Sequence, residues 1–405
     1  MSQRIADNLI LVFTAGVSLE QWRDSGLLTR EWALYRAILA DGWYDQLVLV
    51  TYGNAGDAKV LDSILTPEEL VKVNIVSNER SLGGREYAAS LSERVRRIIA
   101  PGSTSVVKTN QMHGGDTGLT IAQDLKAAGH DCALIARGGY LWSRFVAHEL
   151  GPSSRQAIQA SLREGLLCRE ADIIVGTTGR MIEDLAWKHE LDSARMMLVP
   201  NFVLVDHPIS RVSSRTKGLL LYAGQLVARK RVDILVRAIA MIPKELGAML
   251  HIIGSGPSQV GLEALAKDLD APVKFSQRMA HEDLLAEMGR CSAYVQASDL
   301  EGHPKTVLEA MTTGAPVIVA DTPGLGGVVR HGATGLKVLG EPASFAHAIE
   351  TLLGDEDWRD VLGTTAAQVV RTECGLPKIL ELEREAHVRA SSLAALRRRA
   401  QEQAA

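Results

Sequence analysis

Short apolar runs, rich in valine, isoleucine and leucine, alternate with amphipathic stretches along almost the entire chain. This alternation is typical of parallel strands with helices on both faces, because such strands are buried on both sides and carry no exposed polar side. The pattern predicts an α/β protein. In the first half of the chain, the predicted strands are Leu9–Phe13, Gln46–Thr51, Val73–Val76, Ser105–Lys108, Cys132–Ala136, Asp172–Val175 and Met196–Val199.

A polar segment, residues 206–217, separates this series from a second one. It contains one proline and three serines, which favour an irregular connection and predict a linker. We expect a first domain of residues 1–206, a second of residues 207–376, and a C-terminal helix of residues 377–405 that could pack back on the first domain. The two series of strands predict two doubly wound sheets, one after the other along the chain. The strands predicted for the second sheet are Gly218–Ala223, Met249–Ile253, Pro272–Phe275, Ala293–Gln296, Pro316–Ala320 and Gly335–Val338.

The length and the charge of the chain narrow the classes of function. A chain of 405 residues is too long for one compact core and suits two domains. Its 44 Lys and Arg residues against 48 Asp and Glu residues give a net charge of −4, so no general positive field attracts nucleic acid. We expect no nucleic-acid partner, and any site for an anion must be local.

Possible metal ligands are scattered along the sequence. The four cysteines form no paired spacing, which argues against both a disulfide framework and a zinc site. The acidic triplet 355–357 follows a predicted helix, and we interpret it as the cap and first turn of the next helix. His113, His130 and His148 show no ligand spacing. We expect no metal and no other cofactor.

Targeting signals are weak. The stretch 9–19 has about the length of a signal-peptide core and is preceded by Arg4, but Asp7 and the absence of a small-residue cleavage site weigh against secretion. We expect a cytoplasmic chain. The stretch 92–99 combines basic and apolar residues. A solvated helix face is its simpler interpretation, and contact with anionic lipid at the inner face of the membrane is the alternative.

The segment 298–311 carries the most informative chemical pattern. It follows an apolar run, and Pro304 stands where the first turn of a helix is expected, since proline lacks only an amide hydrogen that is unpaired there. The free amides of Gly302 and the residues after it could hold sugar hydroxyls or phosphate oxygens. Glu301 would stand at the mouth of this loop. Glu309, about two helical turns further on, could accept hydrogen bonds from a ribose diol.

These two glutamates also have plainer interpretations. Glu301 could simply favour the positive end of a helix, and Glu309 could form an ordinary i,i+4 pair with Lys305. The functional interpretation gains weight because two further polar segments, 224–230 and 254–257, also follow predicted strands.

Lys230 and two glycines are the notable residues of these segments. Lys230 could neutralise a diphosphate leaving group, or it could be a solvated lysine in a turn. Gly254 and Gly256 allow the backbone to approach a ligand closely. No third glycine stands at Gln259, so the dinucleotide-binding fingerprint is incomplete and a simple turn remains the alternative.

Taken together, these segments resemble the retaining glycosyltransferase family 4, whose GT-B fold consists of two facing Rossmann-like domains. In the second half of the chain the resemblance rests on the order and spacing of the segments 224–233, 253–257, 301–309, 314–318 and 332–336. In the first half, fewer positions match, in the segments 26–31, 137–140 and 200–203.

The resemblance implies roles for individual residues. Glu301 would contact the donor sugar, Glu309 the ribose and Lys230 the diphosphate. Backbone amides of residues 302–305 would bind the sugar, and the base would lie against residues 278 and 279. The implied catalytic residues are Glu301, Lys230 and Arg137. The implied donor-binding residues are Gly26, Gly224, Gln225, Lys230, Gly254, Gly256, Arg278, Met279, Glu301, Gly302, His303, Pro304, Lys305, Thr306, Val307 and Glu309.

The chain departs from the family pattern at two positions that matter for the leaving group. Members usually carry an arginine, as the partner of the lysine on the diphosphate, where this chain has Gln225. Either Arg229 or Arg231 could replace it, or the leaving group could be less stabilised. Many members also have a histidine where this chain has Arg137, which could serve the diphosphate instead. An acidic residue that usually follows Gly324 is replaced by Gly327.

The resemblance implies transfer of a hexosyl unit from a nucleoside diphosphate sugar to an acceptor hydroxyl, with retention at the anomeric carbon. The acceptor would be a glycan, a lipid-linked molecule or a small molecule, and the setting the biosynthesis of glycans, glycolipids or cell-surface polysaccharide. Two alternatives stay open. One is a nucleotide-sugar epimerase or hydrolase, for which His303 is the available acid or base. The other is a protein that binds a nucleotide sugar without turnover.

Overall fold

A computed structural model describes residues 3–210 and 214–404. Residues 1, 2, 211–213 and 405 lie outside the described residues. Residues 211–213 belong to the predicted linker. The chain divides into two compact units. The first unit contains the residues up to Val199 and those from Leu380 onward, and the second contains Pro200–Ile379.

The described part of the first unit contains a seven-stranded parallel sheet of strand order β3-β2-β1-β4-β5-β6-β7. Its strands are β1 (Asn8–Val12), β2 (Gln46–Val50), β3 (Val73–Val76), β4 (Thr104–Thr109), β5 (Asp131–Gly138), β6 (Ile173–Gly176) and β7 (Met196–Leu198). The helices are α1 (Leu19–Asp24), α2 (Leu28–Ala40), α3 (Gly56–Ile64), α4 (Pro67–Leu70), α5 (Gly84–Ile98), α6 (Gly115–Ala127), α7 (Trp142–Leu150), α8 (Arg155–Glu170) and α9 (Gly179–His189).

The second unit contains, in its described residues, a six-stranded parallel sheet of order β10-β9-β8-β11-β12-β13. Its strands are β8 (Leu219–Ala223), β9 (Met249–Ile253), β10 (Val273–Ser276), β11 (Ala293–Gln296), β12 (Val317–Ala320) and β13 (Leu336–Val338). The helices are α10 (Val232–Met241), α11 (Gln259–Asp268), α12 (His281–Arg290), α13 (Lys305–Thr312), α14 (Pro342–Gly354) and α15 (Glu356–Cys374), and α16 (Leu376–Ala404) follows.

The α/β prediction is confirmed, and each predicted strand has a counterpart within about two residues of its expected ends. The central strands are buried along their whole length, as β1 and β8 illustrate, which explains their continuous apolar runs. Strand β5 extends to Gly138, two residues beyond the predicted Ala136, because its pairing with β6 continues through Arg137 and Gly138. The acidic triplet 355–357 caps and begins α15, as predicted.

The second unit begins earlier along the chain than the predicted linker. The backbone amide of Val203 donates to the carbonyl of Cys374 at 2.9 Å, and the amide of Leu376 donates to the carbonyl of Val203 at 3.1 Å. The segment that follows β7 is therefore bonded to the junction between α15 and α16. The contacts of this segment place it with the second unit, and the boundary between the units falls at residues 199 and 200.

The stretch of residues 92–99, interpreted as a solvated helix face with lipid contact as the alternative, lies at the end of α5. Arg94 donates to the carbonyl of Ser77 at 2.7 Å, while Arg96 and Arg97 both pair with Glu93 on the same helix. Pairs of this kind suit a solvated helix face. Among the described residues, no helix combines the length and the apolar character needed to cross a membrane.

A buried ion pair joins the C-terminal helix to the first sheet. Lys108 on β4 is fully buried, and its Nζ lies 2.6 Å from Oε2 of Glu383 on α16. Burial opposes the charge of Glu383, but the ammonium of Lys108 outweighs it and holds the pKa of that carboxyl well below its usual value. His387, one helical turn further on, lies 3.3 Å from the same oxygen. The pair is a strong constraint because neither charge can reach water.

Replacing Glu383 with glutamine is expected to lower the free energy of unfolding by about 3 kcal/mol, since it leaves the ammonium of Lys108 buried without a counter-charge. The matched control is Glu402→Gln on the same helix, where the carboxylate pairs with Arg398 in solvent and the expected loss is below about 0.5 kcal/mol. Urea unfolding of the three proteins measures both values. Equal stability of the two variants would contradict the structural role of the pair.

Candidate functional site

The candidate site lies at the carboxyl ends of strands β8, β9 and β11 in the second unit. In the strand order of this sheet, β9 and β10 extend from β8 to one side, whereas β12 and β13 extend from β11 to the other. The junction of β8 and β11 is thus the point where the direction of strand order reverses. In open α/β sheets, ligands bind outside the carboxyl ends of the strands at such a point. Lys230 follows β8 and Glu301 follows β11.

Glu301 and Lys230 meet across this junction. Nζ of Lys230 lies 2.5 Å from Oε1 of Glu301, and Nη1 of Arg229 lies 3.5 Å from the other carboxylate oxygen. All three side chains are largely buried. Burial alone would raise the pKa of Glu301, but the charge and hydrogen bond of Lys230, with the charge of Arg229, outweigh it and hold that pKa below its usual value. The carboxylate is therefore ionised at neutral pH.

The loop after β8 places two of its three consecutive cations at this carboxylate. Residues 228–230 form a short 3-10 turn, which Arg231 ends in the left-handed conformation with φ of 47°. The carbonyl of Arg229 accepts a hydrogen bond from the amide of Asp299 at 2.9 Å, and its guanidinium donates to the carbonyl of Leu300 at 2.5 Å. Arg231 turns instead to Asp233 and Asp299. Two arginines were proposed to replace the cation absent at position 225. Of these, Arg229 is the one that lies at the Glu301 carboxylate together with Lys230.

Gln296 is a site residue that sequence reasoning missed. It is the last residue of β11 and is 1% exposed. Its amide Nε2 donates to Oε1 of Glu301 at 3.0 Å, and its Oε1 accepts from the hydroxyl of Tyr294 at 3.2 Å. Gln296 therefore fixes the orientation of the Glu301 carboxylate. A polar residue that ends an otherwise apolar buried strand was the available signal, because burial of an amide requires partners.

The glycine segments after β8 and β9 pack directly against each other. Gly254 has φ of 151°, and a Cβ atom there would lie 1.9 Å from the carbonyl oxygen of Gly224. A Cβ on Gly256 would lie 2.4 Å from the carbonyl oxygen of Leu226. The amide of Leu226 donates to the carbonyl of Ser255 at 3.0 Å, which joins the two loops. The glycines serve backbone packing between the two loops.

Helix α13 begins directly after the Glu301 loop. Pro304 occupies the cap position, one residue before the first helical residue, so it lies one step ahead of the predicted first turn. Glu309 is 2% exposed, and its Oε1 lies 3.0 Å from Nε2 of His281 at the start of α12. Sequence reasoning did not single out His281, because the two residues are 28 positions apart.

The segment after β7 also contacts the loop between Glu301 and α13. The backbone amide of Asn201 donates to Nδ1 of His303 at 3.0 Å, and Nδ2 of Asn201 donates to the carbonyl of His303 at 2.7 Å. The ammonium of Lys305 lies 4.9 Å from the ring centre of Phe202. Asn201 and Phe202 are themselves buried. The loop therefore has a fixed partner within its own unit.

Other predicted donor-binding residues occupy varied positions in the second unit. Gln225 is exposed, and its carbonyl accepts from Tyr222. Arg278 is exposed and Met279 partly buried, both between β10 and α12. Thr306 donates to Oε1 of Gln296 at 3.4 Å, and residues 302 and 307 lie before and within α13, respectively.

Two predicted residues, Gly26 and Arg137, belong to the first unit. Gly26 has φ of 70° and forms the turn between α1 and α2. Arg137 lies next to the last residue of β5, and its Nη1 donates to the carbonyl of Asn110 at 3.1 Å. Both therefore lie in a different unit from the Lys230 and Glu301 pair.

Comparison with known proteins finds similarity to glycosyltransferases. Residues 208–369 match the family model described as glycosyl transferases group 1. A D-inositol 3-phosphate glycosyltransferase of Nocardia farcinica (strain IFM 10152) is 30% identical over 223 residues, which is 50% of this chain and 49% of that protein. The chain spans about half the length of the curated relatives it matches. The matched family segment lies within the second unit, where the Lys230 and Glu301 pair is found.

Solved structures resemble the fold over most of the chain. Anabaena HepE in complex with UDP and glucose has a TM-score of 0.72 at 15% identity, covering 94% of this chain and 98% of that one. Sucrose-phosphate synthase of Thermosynechococcus elongatus has a TM-score of 0.74 at 19% identity, with the same coverage. These likenesses show that the fold is of the GT-B class, as predicted.

Replacing Lys230 with methionine removes the nearest cation from the buried carboxylate of Glu301. In the parent, the folded pKa of Glu301 lies below the unfolded value, so its contribution to stability is present above about pH 4.3 and is lost as the pH falls through the folded pKa. In the variant, we expect burial to outweigh the remaining charge of Arg229 and to raise that pKa. We expect a loss of about 1–3 kcal/mol at pH 7 that shrinks as the pH falls toward 5.

Urea unfolding between pH 5 and 7 measures this difference, with Lys267→Met on the exposed face of α11 as control. The control is expected to stay within about 0.5 kcal/mol of the parent at every pH. A Lys230→Met loss that does not change with pH would mean that Glu301 is not the group affected.

Replacing Gly254 with alanine is expected to destabilise the protein by at least about 2 kcal/mol. The new Cβ would meet the carbonyl of Gly224, and φ of 151° strains any side chain. Gly261→Ala in α11 is the control, because a Cβ there meets no atom within 4 Å and alanine favours helix. Thermal unfolding should rank the control at or above the parent and Gly254→Ala well below it; any other order contradicts the packing argument.

Proposed function

We propose that this protein is a retaining glycosyltransferase that moves a hexosyl unit from a nucleoside diphosphate sugar to an acceptor hydroxyl. One observation carries the proposal: Lys230 and Glu301 meet at the reversal point of the second sheet, within the segment that matches group 1 glycosyl transferases. A fixed cation beside a fixed carboxylate suits a ligand with both a diphosphate and a sugar. The complex of Anabaena HepE with UDP and glucose makes uridine diphosphate sugars the first donors to test.

The proposed chemistry needs no enzymic nucleophile. The acceptor hydroxyl oxygen forms a bond to the anomeric carbon on the face from which the diphosphate departs. The bond between that carbon and the phosphate oxygen breaks, and its electron pair stays with the diphosphate. The acceptor proton passes to an oxygen of the leaving phosphate. The protein contributes positioning and stabilisation of the developing negative charge.

Lys230 and Arg229 are the proposed stabilisers of the leaving group. An ammonium has three N–H donors, so Lys230 can retain Glu301 and still donate to a phosphate oxygen. Arg229 would supply the second positive charge that the family pattern places at position 225. Arg137, which belongs to the first unit, keeps the proposed role of an additional catalytic cation.

Glu301 and the start of α13 are the proposed sugar site. The ionised carboxylate accepts hydrogen bonds from sugar hydroxyls, and Lys230 and Gln296 fix its position. The backbone amides of residues 302–305 precede or begin a helix, where N–H groups lack helical partners. Glu309, with His281 at its side, is the proposed acceptor for ribose hydroxyls, and residues 278 and 279 would lie against the base.

The proposed acceptor and biosynthetic setting rest on the resemblance to family 4 glycosyltransferases. The acceptor would be a glycan, a lipid-linked molecule or a small molecule, and the product would enter glycan, glycolipid or cell-surface polysaccharide biosynthesis. The proposed site uses neither a metal nor another cofactor, because two side-chain cations stand beside the carboxylate. We propose a cytoplasmic location for the reaction, with the inner face of the membrane as one setting.

Steady-state transfer from radiolabelled nucleotide sugars to a panel of hydroxyl acceptors tests the proposal. Lys230→Ala and Glu301→Gln are expected to lower kcat/KM by about 100-fold or more, because each removes charge from the reacting centre. Lys267→Ala and Glu282→Gln, at exposed positions of the same unit, are the matched controls and should retain parent activity. Parent-like transfer by both site variants would refute the assigned roles.

The same assay separates the alternatives. Conversion of the donor to an epimer or a free sugar without acceptor would favour an epimerase or a hydrolase. Donor binding, seen as a rise in Tm, without transfer to any acceptor would favour a binding protein. The stereochemistry of the product, read by NMR, decides between retention and inversion.

A further inference from the structure

The ring of His303 is held by a backbone donor. The amide nitrogen of Asn201 lies 3.0 Å from Nδ1 of His303, with the N–H directed at the ring nitrogen. The side chain of Asn201 makes a second bond, from Nδ2 to the carbonyl of His303 at 2.7 Å. One residue therefore fixes both the ring and the backbone of His303.

The first of these bonds decides where the ring carries its proton. A backbone N–H can only donate, so Nδ1 must present a lone pair. A neutral imidazole with an unprotonated Nδ1 carries its hydrogen on Nε2. An imidazolium would set two N–H groups against each other across 3.0 Å. The contact therefore favours one tautomer of the neutral ring.

The surroundings of Asn201 make this contact rigid. Asn201 is 6% exposed, and Phe202 beside it is 3% exposed and lies under the ammonium of Lys305. The next residue, Val203, donates through its amide to Cys374 at the end of α15 and accepts at its carbonyl from Leu376 at the start of α16. The donor thus comes from a buried backbone segment, whereas His303 itself is partly exposed.

We propose that Asn201 is a positioning residue that holds His303 as the neutral Nε2–H tautomer, so that His303 donates one hydrogen bond to an oxygen of the bound nucleotide sugar. This inference rests on the proposed function and names a side chain that would contact the donor. His303 stands two residues after Glu301 and directly before Pro304, the cap of α13. An uncharged, directed N–H there complements the acceptor carboxylate of Glu301, since hydroxyls both donate and accept.

The oxygen that His303 meets is either a sugar hydroxyl or a diphosphate oxygen, and both accept hydrogen bonds. Affinity for UDP alone reports on the diphosphate, whereas the further gain with UDP-glucose reports on the sugar. An effect of His303 variants on UDP identifies the phosphate; an effect confined to UDP-glucose identifies the sugar.

Long-range 15N NMR of the ring nitrogens, at pH 7.5 and without ligand, tests the tautomer directly. The His303 signals are assigned by their absence in His303→Asn. We expect an acceptor-type shift for Nδ1 and a protonated shift for Nε2. Asn201→Ala should leave this pattern unchanged because its backbone N–H remains. A protonated Nδ1, or rapid averaging of the two nitrogens, would overturn the proposal whether or not the protein transfers sugar.

Three substitutions of His303 test the hydrogen bond to the ligand. His303→Gln can keep an N–H near the place of Nε2, His303→Asn keeps a group that can accept from Asn201 but loses the Nε2 donor, and His303→Phe loses both. Loss of one neutral hydrogen bond corresponds to about a 3- to 10-fold loss of affinity. We expect that loss for the asparagine and phenylalanine variants, and affinity within about twofold of the parent for the glutamine variant.

His331→Asn is the matched control for these binding measurements. Its Nδ1 also accepts a backbone N–H, from Lys337 at 3.0 Å, but His331 is exposed and precedes β13, at the amino edge of the sheet. Calorimetry with UDP and with UDP-glucose provides the affinities. Equal affinity of all three His303 variants and the parent would overturn the role of Nε2. If the parent binds neither ligand, the same titrations are made with GDP and ADP and their glucose conjugates. A parent that binds none of these overturns the proposed function, and the role of Nε2 with it.

Discussion

The second unit is organised around the need to pair one buried carboxylate. An ionised glutamate inside a protein is costly unless cations and hydrogen-bond donors surround it. Lys230, Arg229 and Gln296 meet that need for Glu301, and they come from the ends of two adjacent strands, β8 and β11. The turn of residues 228–230 and the loop before α13 must therefore keep a fixed separation. The cations that stabilise the carboxylate of Glu301 also give the site charges of both signs.

Much of this arrangement could be predicted from the order of residues along the chain. Parallel strands buried on both faces leave a strong apolar signal, so the strands and the fold class were accessible. Residues directly after strands, such as Lys230 and Glu301, share one edge of the sheet by topology alone. Their pairing across 71 positions was not accessible, because a distance of 2.5 Å depends on how two loops turn.

The residues that escaped prediction act through partners distant in the sequence. His281 meets Glu309, and Asn201 meets His303 from a segment assigned on polarity grounds to the other domain. No local pattern marks His281, and the match of the segment 200–203 to the family pattern did not indicate a contact of Asn201 with His303. The choice between Arg229 and Arg231 likewise depends on a single left-handed residue, Arg231, whose conformation turns its own side chain toward Asp233. Arg229 faces the carboxylate of Glu301, whereas Arg231 pairs with Asp233.

Val203 forms hydrogen bonds with Cys374 and Leu376. These bonds place the segment that enters the second unit beside the segment that leaves it. The stretch from Pro200 to Ile379 is consequently a closed module whose two ends meet, and topologically it resembles an insertion into the other unit. Ends that meet can be joined or cut with little entropic penalty. This half of the molecule is therefore the natural piece for excision, circular permutation or grafting into a different partner.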